Sequence, residues 1–304
     1  MGNYGFAIVY HPDYVAPLPD VHRFPMPKFK ILRDLLIKDR VIELEQIFTP
    51  ELPDLDLIEL VHTPEYVQAY CNGTLEPKAQ RRIGLPWSKA LAHRTQIAIG
   101  GTILAAKLAL EYGCGCNTAG GTHHAFPSYG SGFCIFNDLA IATRVLQHQG
   151  LAQQILIIDC DVHQGDGTAY IFQDDQRVFT FSMHCEANFP GRKQQSDLDV
   201  PLPIGLDDDG YLQILASHLK DLLSQVKPDL VLFDAGVDTH VSDRLGKLAL
   251  TDWGIYRRER MVLSTCKAGG YPVAAVIGGG YSKDMSALVY RHSLLHRAAQ
   301  EVYQ

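Results

Sequence analysis

Paired metal-binding cysteines, long apolar runs and an excess of basic residues are all lacking in this sequence of 304 residues. Its seven cysteines are odd in number and scattered, and the one close pair, Cys114 and Cys116, is spaced too tightly for a typical zinc pair. We therefore expect reduced, mostly buried thiols, as in a cytoplasmic protein, rather than a disulfide framework.

No apolar run is long enough for a transmembrane helix. The segment 1–5 also lacks the basic start of a secretory signal. Both features favour a cytoplasmic location without membrane association.

The charge balance disfavours nucleic-acid binding. Acidic residues number 34 against 27 lysines and arginines, which gives a net charge of −7 and a pI near 6.0, whereas nucleic-acid-binding domains usually carry a basic surface. A negative surface would instead suit cationic partners such as lysine-rich peptides or polyamines.

The apolar pattern predicts an α/β fold. A hydrophobic content of 46% can bury a large core, and apolar segments recur without a linker, so we expect one domain over residues 1–304. Strands and helices alternate, which favours a three-layer architecture: a mainly parallel central sheet with helices on both faces. The predicted strands are 6–10, 154–159, 178–183, 230–233 and 273–277; the predicted helices are 28–38, 65–71, 88–112, 138–148, 211–226, 253–268 and 283–303.

A candidate metal site follows two of the apolar runs. Asp161 and His163 come just after the run 155–158 and are two residues apart, so in extended backbone both side chains point the same way and can meet one ion. Asp238 follows a second run, 229–233, through a glycine. Two aspartates and one histidine leave a coordination position for water, as catalytic zinc sites do, and the carboxylates also admit Fe²⁺ or Mn²⁺. Alternatively, these residues serve turn chemistry at strand ends.

A tandem histidine and a tyrosine supply candidate catalytic groups. His123 and His124 have Asp159 and Asp166 as available orienting carboxylates, and a histidine held by a carboxylate suits a general base near neutral pH. One adjacent pair among 13 histidines can also arise by chance. Tyr281 follows three glycines, which let the backbone approach a substrate while the phenol donates a hydrogen bond to a developing oxyanion.

Together these segments resemble the histone deacetylase family of the arginase/deacetylase superfamily, and they occur in the family's order. The shared motifs are Gly-Gly-Thr-His-His-Ala at 120–125, Gly-Phe-Cys at 132–134, Asp-x-Asp-x-His-x-Gly-Asp-Gly at 159–167, Ala-Gly-x-Asp at 235–238 and Gly-Gly-Gly-Tyr at 278–281. Tyr-His-Pro at 10–12 and His-Thr-Pro-Glu-Tyr at 62–66 extend the resemblance over nearly the whole chain. The sequence looks closest to bacterial members near class IV.

The resemblance implies the arginase/deacetylase fold and a role for each candidate. The implied ligands of Zn²⁺, or of Fe²⁺, are Asp161, His163 and Asp238. His124, paired with Asp166, would take a proton from the water that the metal activates and later deliver one to the leaving amine. His123, paired with Asp159, would stabilise the transition state electrostatically, and Tyr281 would polarise the scissile carbonyl.

The resemblance also implies a substrate tunnel and a second ion. Phe133 and Phe189 would form the aromatic walls, Gly132 would offer its carbonyl to the substrate amide, and Gly280 would line the substrate. A K⁺ ion, or another monovalent cation, would be bound by Asp159, Asp161, His163, Ser182 and Met183. Arg23 resembles the arginine of the family's internal acetate cavity; alternatively, it is a surface cation at a helix start.

Three functions are compatible with these motifs. The first is removal of an acetyl or longer acyl group from lysine side chains of a peptide or protein. The second is the same hydrolysis of an acylated polyamine, since segment 72–78 has no clear counterpart of the acidic residue with which many relatives grip peptides. The third is a catalytically silent protein that binds acylated ligands. Ureohydrolysis is disfavoured because its two-metal centre needs more carboxylates than the motifs supply.

Overall fold

All five predicted strands belong to one sheet in a computed structural model, which describes residues 5–304. The first four residues of segment 1–5, where a secretory start was sought, lie outside the described part of the chain. None of the helices within 5–304 has both the length and the apolarity needed to cross a membrane.

The eight strands pair in parallel throughout, so the predicted mainly parallel sheet is wholly parallel. In chain order the strands are β1 (Ala7–Val9), β2 (Ile47–Phe48), β3 (Cys114–Asn117), β4 (Ile155–Asp159), β5 (Val178–Cys185), β6 (Leu198–Leu202), β7 (Leu230–Asp234) and β8 (Val273–Val276). Across the sheet their order is β2-β1-β3-β8-β7-β4-β5-β6. Strands β3, β8, β7 and β4, which precede the histidine, glycine and aspartate motifs, are therefore consecutive interior strands.

Helices cover both faces of this sheet. They are α1 (Lys28–Lys38), α2 (Leu55–Ile58), α3 (Pro64–Cys71), α4 (Pro77–Ile83), α5 (Lys89–Tyr112), α6 (Asp138–His148), α7 (Asp166–Phe172), α8 (Asp208–Val226), α9 (Asp252–Gly269) and α10 (Met285–Tyr303). In β4, Ile155 and Ile157 pack in one cluster with α5 and α6, whereas Leu156 and Ile158 pack in another with α8, α9 and α10. Successive side chains of a strand face opposite sides, so the predicted three-layer α/β fold is confirmed.

Strand β3 escaped prediction because its residues have low strand propensity. It reads Cys-Gly-Cys-Asn, and glycine and asparagine are depleted in strands. A Cβ on Gly115 would lie 2.2 Å from the carbonyl oxygen of Ala105 in α5, so the missing side chain lets the helix pack directly on the sheet. The seven cysteines form no disulfide, and all but Cys71 are buried.

The sheet gathers strand-end carboxylates at one edge. Because parallel strands end at the same edge, the pairing aligns Asp159 at the end of β4 with Asp234 at the end of β7. On the other side of β4, Asp159 aligns with Ser182 in β5. Ligands of open parallel sheets bind beyond this edge, and the histidine and glycine motifs follow it directly.

Candidate active site

Asp161, His163 and Asp238 form a buried cluster whose potential ligand atoms all lie within 4.8 Å of one another. The Nδ1 atom of His163 lies 2.9 Å from Asp161 Oδ1 and 3.2 Å from Asp238 Oδ2. The Oδ2 atom of Asp238 is buried and accepts no hydrogen bond within the described residues. The three side chains predicted as metal ligands therefore converge on one point.

Backbone groups orient the two carboxylates of this cluster. The Gly279 N–H donates to Asp161 Oδ2 over 2.8 Å, and the Val162 N–H donates to Asp238 Oδ1 over 2.9 Å. A Cβ on Gly279 would stand 2.1 Å from Asp238 Oδ2. A larger residue at position 279 would therefore displace the Asp238 carboxylate.

The electrostatics of the cluster favour a bound cation. Burial and the neighbouring Asp161 raise the pKa of Asp238 to about 7. Burial alone would lower the pKa of His163, but the adjacent carboxylates of Asp161 and Asp238 raise it to about 10. Two buried carboxylates side by side are stable only with positive charge between them. An imidazole and hard carboxylate oxygens suit Zn²⁺, Fe²⁺ or Mn²⁺, so a metal ion fits this donor set.

Each of the tandem histidines is paired with a carboxylate. His123 Nδ1 lies 2.7 Å from Asp159 Oδ2, and His124 Nδ1 lies 2.6 Å from Asp166 Oδ1. All four side chains are buried, and the two imidazole rings are 4.1 Å apart. The structure therefore brings together both predicted histidine–aspartate pairs.

The two histidines have opposite protonation preferences. Burial and the neighbouring His123 lower the pKa of His124 to about 4, so its imidazole is neutral at pH 7. Burial also disfavours charge on His123, but the carboxylates of Asp159 and Asp161 outweigh it and raise the pKa of His123 well above the ordinary value. With Nδ1–H of His124 directed at Asp166, its Nε2 is left with a lone pair that can accept a proton.

Asp234 is a third buried carboxylate beside His123, to which the motifs gave no role. Its Oδ2 atom lies 3.8 Å from His123 Nδ1, and neither carboxylate oxygen has a hydrogen-bond partner among the described residues. Burial and the adjacent Asp159 raise the pKa of Asp234 well above the usual range. The sequence did contain a signal for Asp234. Like Asp159, it is the residue that follows an apolar run, and parallel strands place such residues side by side.

Tyr281 lines a cavity of about 460 Å³, which His124 and His163 also line. Its backbone N–H donates to Asp243 Oδ2 over 2.7 Å, a positioning contact that the sequence did not reveal. Burial, with Asp238 nearby, raises the pKa of the Tyr281 phenol well above the ordinary value. The hydroxyl is therefore a proton donor at neutral pH.

The same cavity, which we call the outer cavity, has aromatic walls. Phe133 and Phe189 both line it, and the Phe189 ring meets His124 edge-on with centroids 4.9 Å apart. Gly132 has a φ of +54°, and a Cβ there would lie 2.8 Å from the His124 ring. Gly280, which directly precedes Tyr281, does not itself line this cavity, and a Cβ there would lie 2.7 Å from Val237 and 2.9 Å from the imidazole of His292.

A second, inner cavity of about 40 Å³ lies behind Tyr281 and is lined by buried cations. These are Lys28 and Arg94, whereas Arg23 is exposed and lines the outer cavity. Of the two alternatives for Arg23, the structure therefore supports the surface cation before α1 rather than the internal cavity. Burial lowers the pKa of Lys28 to about 8 despite the attraction of Asp238. The Lys28 Nζ atom lies 3.4 Å from the Gly278 carbonyl oxygen and supports the loop before Tyr281.

The residues predicted to bind a monovalent cation come from the end of β4, the segment that follows it, and the interior of β5. Ser182 is buried and aligned with Asp159, and Met183 follows it in β5. Two hydrogen bonds from backbone to side chain stabilise the turn from Asp159 to His163. The Asp161 N–H donates to Asp159 Oδ1, and the His163 N–H donates to Asp161 Oδ1, each over 3.0 Å. Two of the five predicted residues, Asp161 and His163, thus belong to the metal-ligand cluster, and Asp159 links them to Ser182 on the neighbouring strand.

Comparison with known proteins gives consistent relatives. Residues 22–296 match the model of the histone deacetylase domain. An uncharacterised protein of Picosynechococcus is 73% identical over 299 residues, covering 98% of this chain and all of that protein. The acetoin utilization protein AcuC of Staphylococcus aureus is 31% identical over 288 residues, covering 86% of this chain and 73% of AcuC. A probable deacetylase of Archaeoglobus fulgidus is 30% identical over 305 residues, covering 93% and 83%.

Solved structures agree with these relatives. A crystal structure of an HDAC homologue complexed with SAHA superimposes with a TM-score of 0.84 at 25% identity, covering 97% of this chain and 84% of that one. The HD domain of HDA15 gives a TM-score of 0.82 at 21% identity, covering 99% and 89%, which supports the fold. The motif order, the shared fold and the match over most of its length make this chain a member of the histone deacetylase family.

Proposed function

We propose that this deacetylase-family hydrolase is a metal-dependent enzyme, with Zn²⁺ as its ion, that removes acyl groups from lysine side chains. The observation that carries the proposal is the meeting of three groups at one cavity. The buried cluster of Asp161, His163 and Asp238, the neutral imidazole of His124 and the protonated phenol of Tyr281 all adjoin the outer cavity. A protein that only binds acylated ligands needs no such proton-transfer set.

In the proposed reaction each side chain has a separate task. The bound ion, held by Asp161, His163 and Asp238, would supply Lewis acidity to the carbonyl and to the attacking water. His124 Nε2 accepts the proton of that water and returns it to the amine as the C–N bond breaks. His123, charged beside Asp159, stabilises the negative charge of the transition state. Tyr281 donates its hydroxyl hydrogen bond to the carbonyl oxygen as that oxygen becomes an oxyanion.

The outer cavity suits the rest of an acyl-lysine. Phe133 and Phe189 offer apolar surfaces to the methylene chain of the lysine, and Gly132 would present its carbonyl to the substrate amide N–H. Fe²⁺ is an alternative ion, because carboxylate ligands are hard donors. We also propose that K⁺ or another monovalent cation binds at Asp159, Asp161, His163, Ser182 and Met183, supported by the alignment of β4 with β5.

Parallel turnover assays test the proposed activity. We expect the zinc-loaded enzyme to hydrolyse a neutral acetyl-lysine peptide, with activity lost on chelation and restored by added Zn²⁺. A long-chain acyl-lysine peptide measures acyl length, and an N-acetylpolyamine measures small-molecule hydrolysis. Faster hydrolysis of the polyamine would overturn the choice of a lysine substrate. Binding of acyl-lysine without turnover of any substrate would identify a silent binding protein.

Removal of Asp238 should remove the metal. Asp238→Ala leaves two protein ligands where a catalytic zinc site typically has three, so the purified variant should hold far less than one divalent ion per chain and be inactive. Metal analysis of the folded protein measures this. Asp221→Ala is the matched control, because it removes an exposed aspartate on α8 that is not part of the metal-ligand cluster. Wild-type metal content in Asp238→Ala would show that Asp238 is not a ligand.

The tandem histidines should differ in their pH profiles. His124→Ala should reduce kcat by roughly 10²–10⁴-fold, the usual contribution of general acid–base catalysis, with metal content unchanged. Since the lowered pKa of His124 keeps it neutral at pH 7, the wild-type rate should fall only below the ordinary histidine range, as His124 becomes protonated. His123→Ala should be slower than wild type and should keep an acid limb, moved toward higher pH because the charge of His123 no longer lowers the pKa of His124. Near-wild-type rates in both variants would contradict the two assignments.

Loss of the Tyr281 hydroxyl should slow the chemical step and leave binding intact. Tyr281→Phe keeps the ring but deletes the donor, so kcat should fall by roughly 10²–10³-fold with little change in KM, as for one oxyanion-hole donor. Tyr290→Phe, on the exposed face of α10, controls for loss of a hydroxyl elsewhere. A Tyr281→Phe rate within a few-fold of wild type would refute the proposed role.

A further inference from the structure

The mouth of the outer cavity is basic, although the chain as a whole carries a net charge of −7. Four exposed cations line this cavity, and no carboxylate lines it among residues 5–304. They are Arg23, Arg81, Arg82 and Lys247. We refer to these four as the basic rim.

The basic rim surrounds the cavity, because its members come from three separate segments. Arg23 precedes α1, and its guanidinium lies 5.1 Å from the centroid of the Phe133 ring. Arg82, in the last turn of α4, stacks 4.5 Å from the Tyr129 ring. On the side of Phe189, Lys247 Nζ donates to the Ala187 carbonyl over 2.7 Å. Aromatic stacking and a carbonyl contact hold these side chains in place and leave their charge uncompensated.

Acidic residues do not neutralise the rim. None of the four cations forms an ion pair with a carboxylate in the described part of the chain. Asp243 comes close in sequence to Lys247, but its oxygens accept the N–H groups of Leu245 and Tyr281. Lys193, whose Nζ contacts the carbonyls of Asn188 and Pro190 at 2.8 and 2.7 Å, adds positive charge near Phe189.

We infer that the enzyme selects acyl-lysines flanked by aspartate or glutamate. This inference rests on the proposed function, because a lysine side chain with its acyl group at the histidines would leave the neighbouring residues of the peptide at the rim. Opposite charges across such a contact raise the association rate and select the partner, and like charges repel it. The rim therefore disfavours polyamines and lysine-rich peptides, the cationic substrates that net charge alone suggested.

A charge series of peptides tests the inference. Three peptides carry the same central acetyl-lysine with glutamate, glutamine or lysine on both sides, and N-acetylspermidine is a fourth substrate. For wild-type enzyme we expect kcat/KM for the glutamate peptide to exceed that for the lysine peptide by about tenfold or more at low salt, since several exposed charge pairs, each weak alone, act together. Between about 0.01 M and 1 M salt, where the screening length falls from roughly 30 to 3 Å, this ratio should approach one.

Substitutions locate the effect. In the variant Arg23→Gln/Arg81→Gln/Arg82→Gln/Lys247→Gln the ratio of the glutamate to the lysine peptide should fall toward one at low salt. Lys220→Gln is the matched control, because Lys220 is an exposed cation in the half of α8 that leads to the opposite edge of the sheet, and it should keep the wild-type ratio. The salt series on wild-type enzyme does not depend on the folding of the quadruple variant.

The outcomes separate this inference from the proposed function. If the glutamine peptide is hydrolysed but the glutamate and lysine peptides react equally, or the lysine peptide or N-acetylspermidine reacts faster, selection for acidic substrates is wrong and lysine deacylation stands. A salt-independent preference, or an unchanged ratio in a folded quadruple variant, would likewise remove the rim from substrate selection. If the metal-loaded enzyme hydrolyses no acyl-lysine peptide, the proposed function fails and this inference fails with it.

Discussion

The structure of the site depends on the burial of four aspartates at one edge of a parallel sheet. Asp159, Asp161, Asp234 and Asp238 are all at most 3% exposed. Like charges in a medium of low polarity cannot all persist without positive charge among them. Two of these aspartates share His163, and the other two flank His123. The same repulsion that makes the cluster unstable alone makes it a strong cation site.

This constraint also separates the two tandem histidines. His123 lies within the field of the aspartates and is held in its charged form, whereas His124 lies beside that charge and is held neutral. Environments that push neighbouring groups to opposite protonation states are the usual means of dividing acid and base roles. Each histidine is hydrogen-bonded to one aspartate, so the division follows from the further carboxylates that the sheet edge places around His123.

Local patterns predicted the part of the fold and site that local residues determine. The sequence predicted the apolar strands β4, β5, β7 and β8 and the start of α1 at Lys28. It also predicted that the motifs lie close together, because parallel strands end at the same edge of the sheet. Strand β3 was missed because the close approach of α5, rather than strand propensity, makes its glycine necessary. The position of Arg23 stayed open between an internal and a surface site for a similar reason: which cation reaches the inner cavity depends on how the loop before α1 packs.

The net charge wrongly indicated a negative surface at the mouth of the outer cavity, because it counts buried and exposed groups alike. Seven acidic side chains are buried but only four basic ones, so the surface is less acidic than the formal charge of −7 indicates. Most of the buried carboxylates are paired with histidines of the site, and Glu259 is paired with Arg258. Their charge therefore contributes little to the surface. What a substrate meets at the cavity mouth is set by a few exposed side chains on separate loops. Composition cannot reveal that arrangement, whereas the fold brings those side chains together.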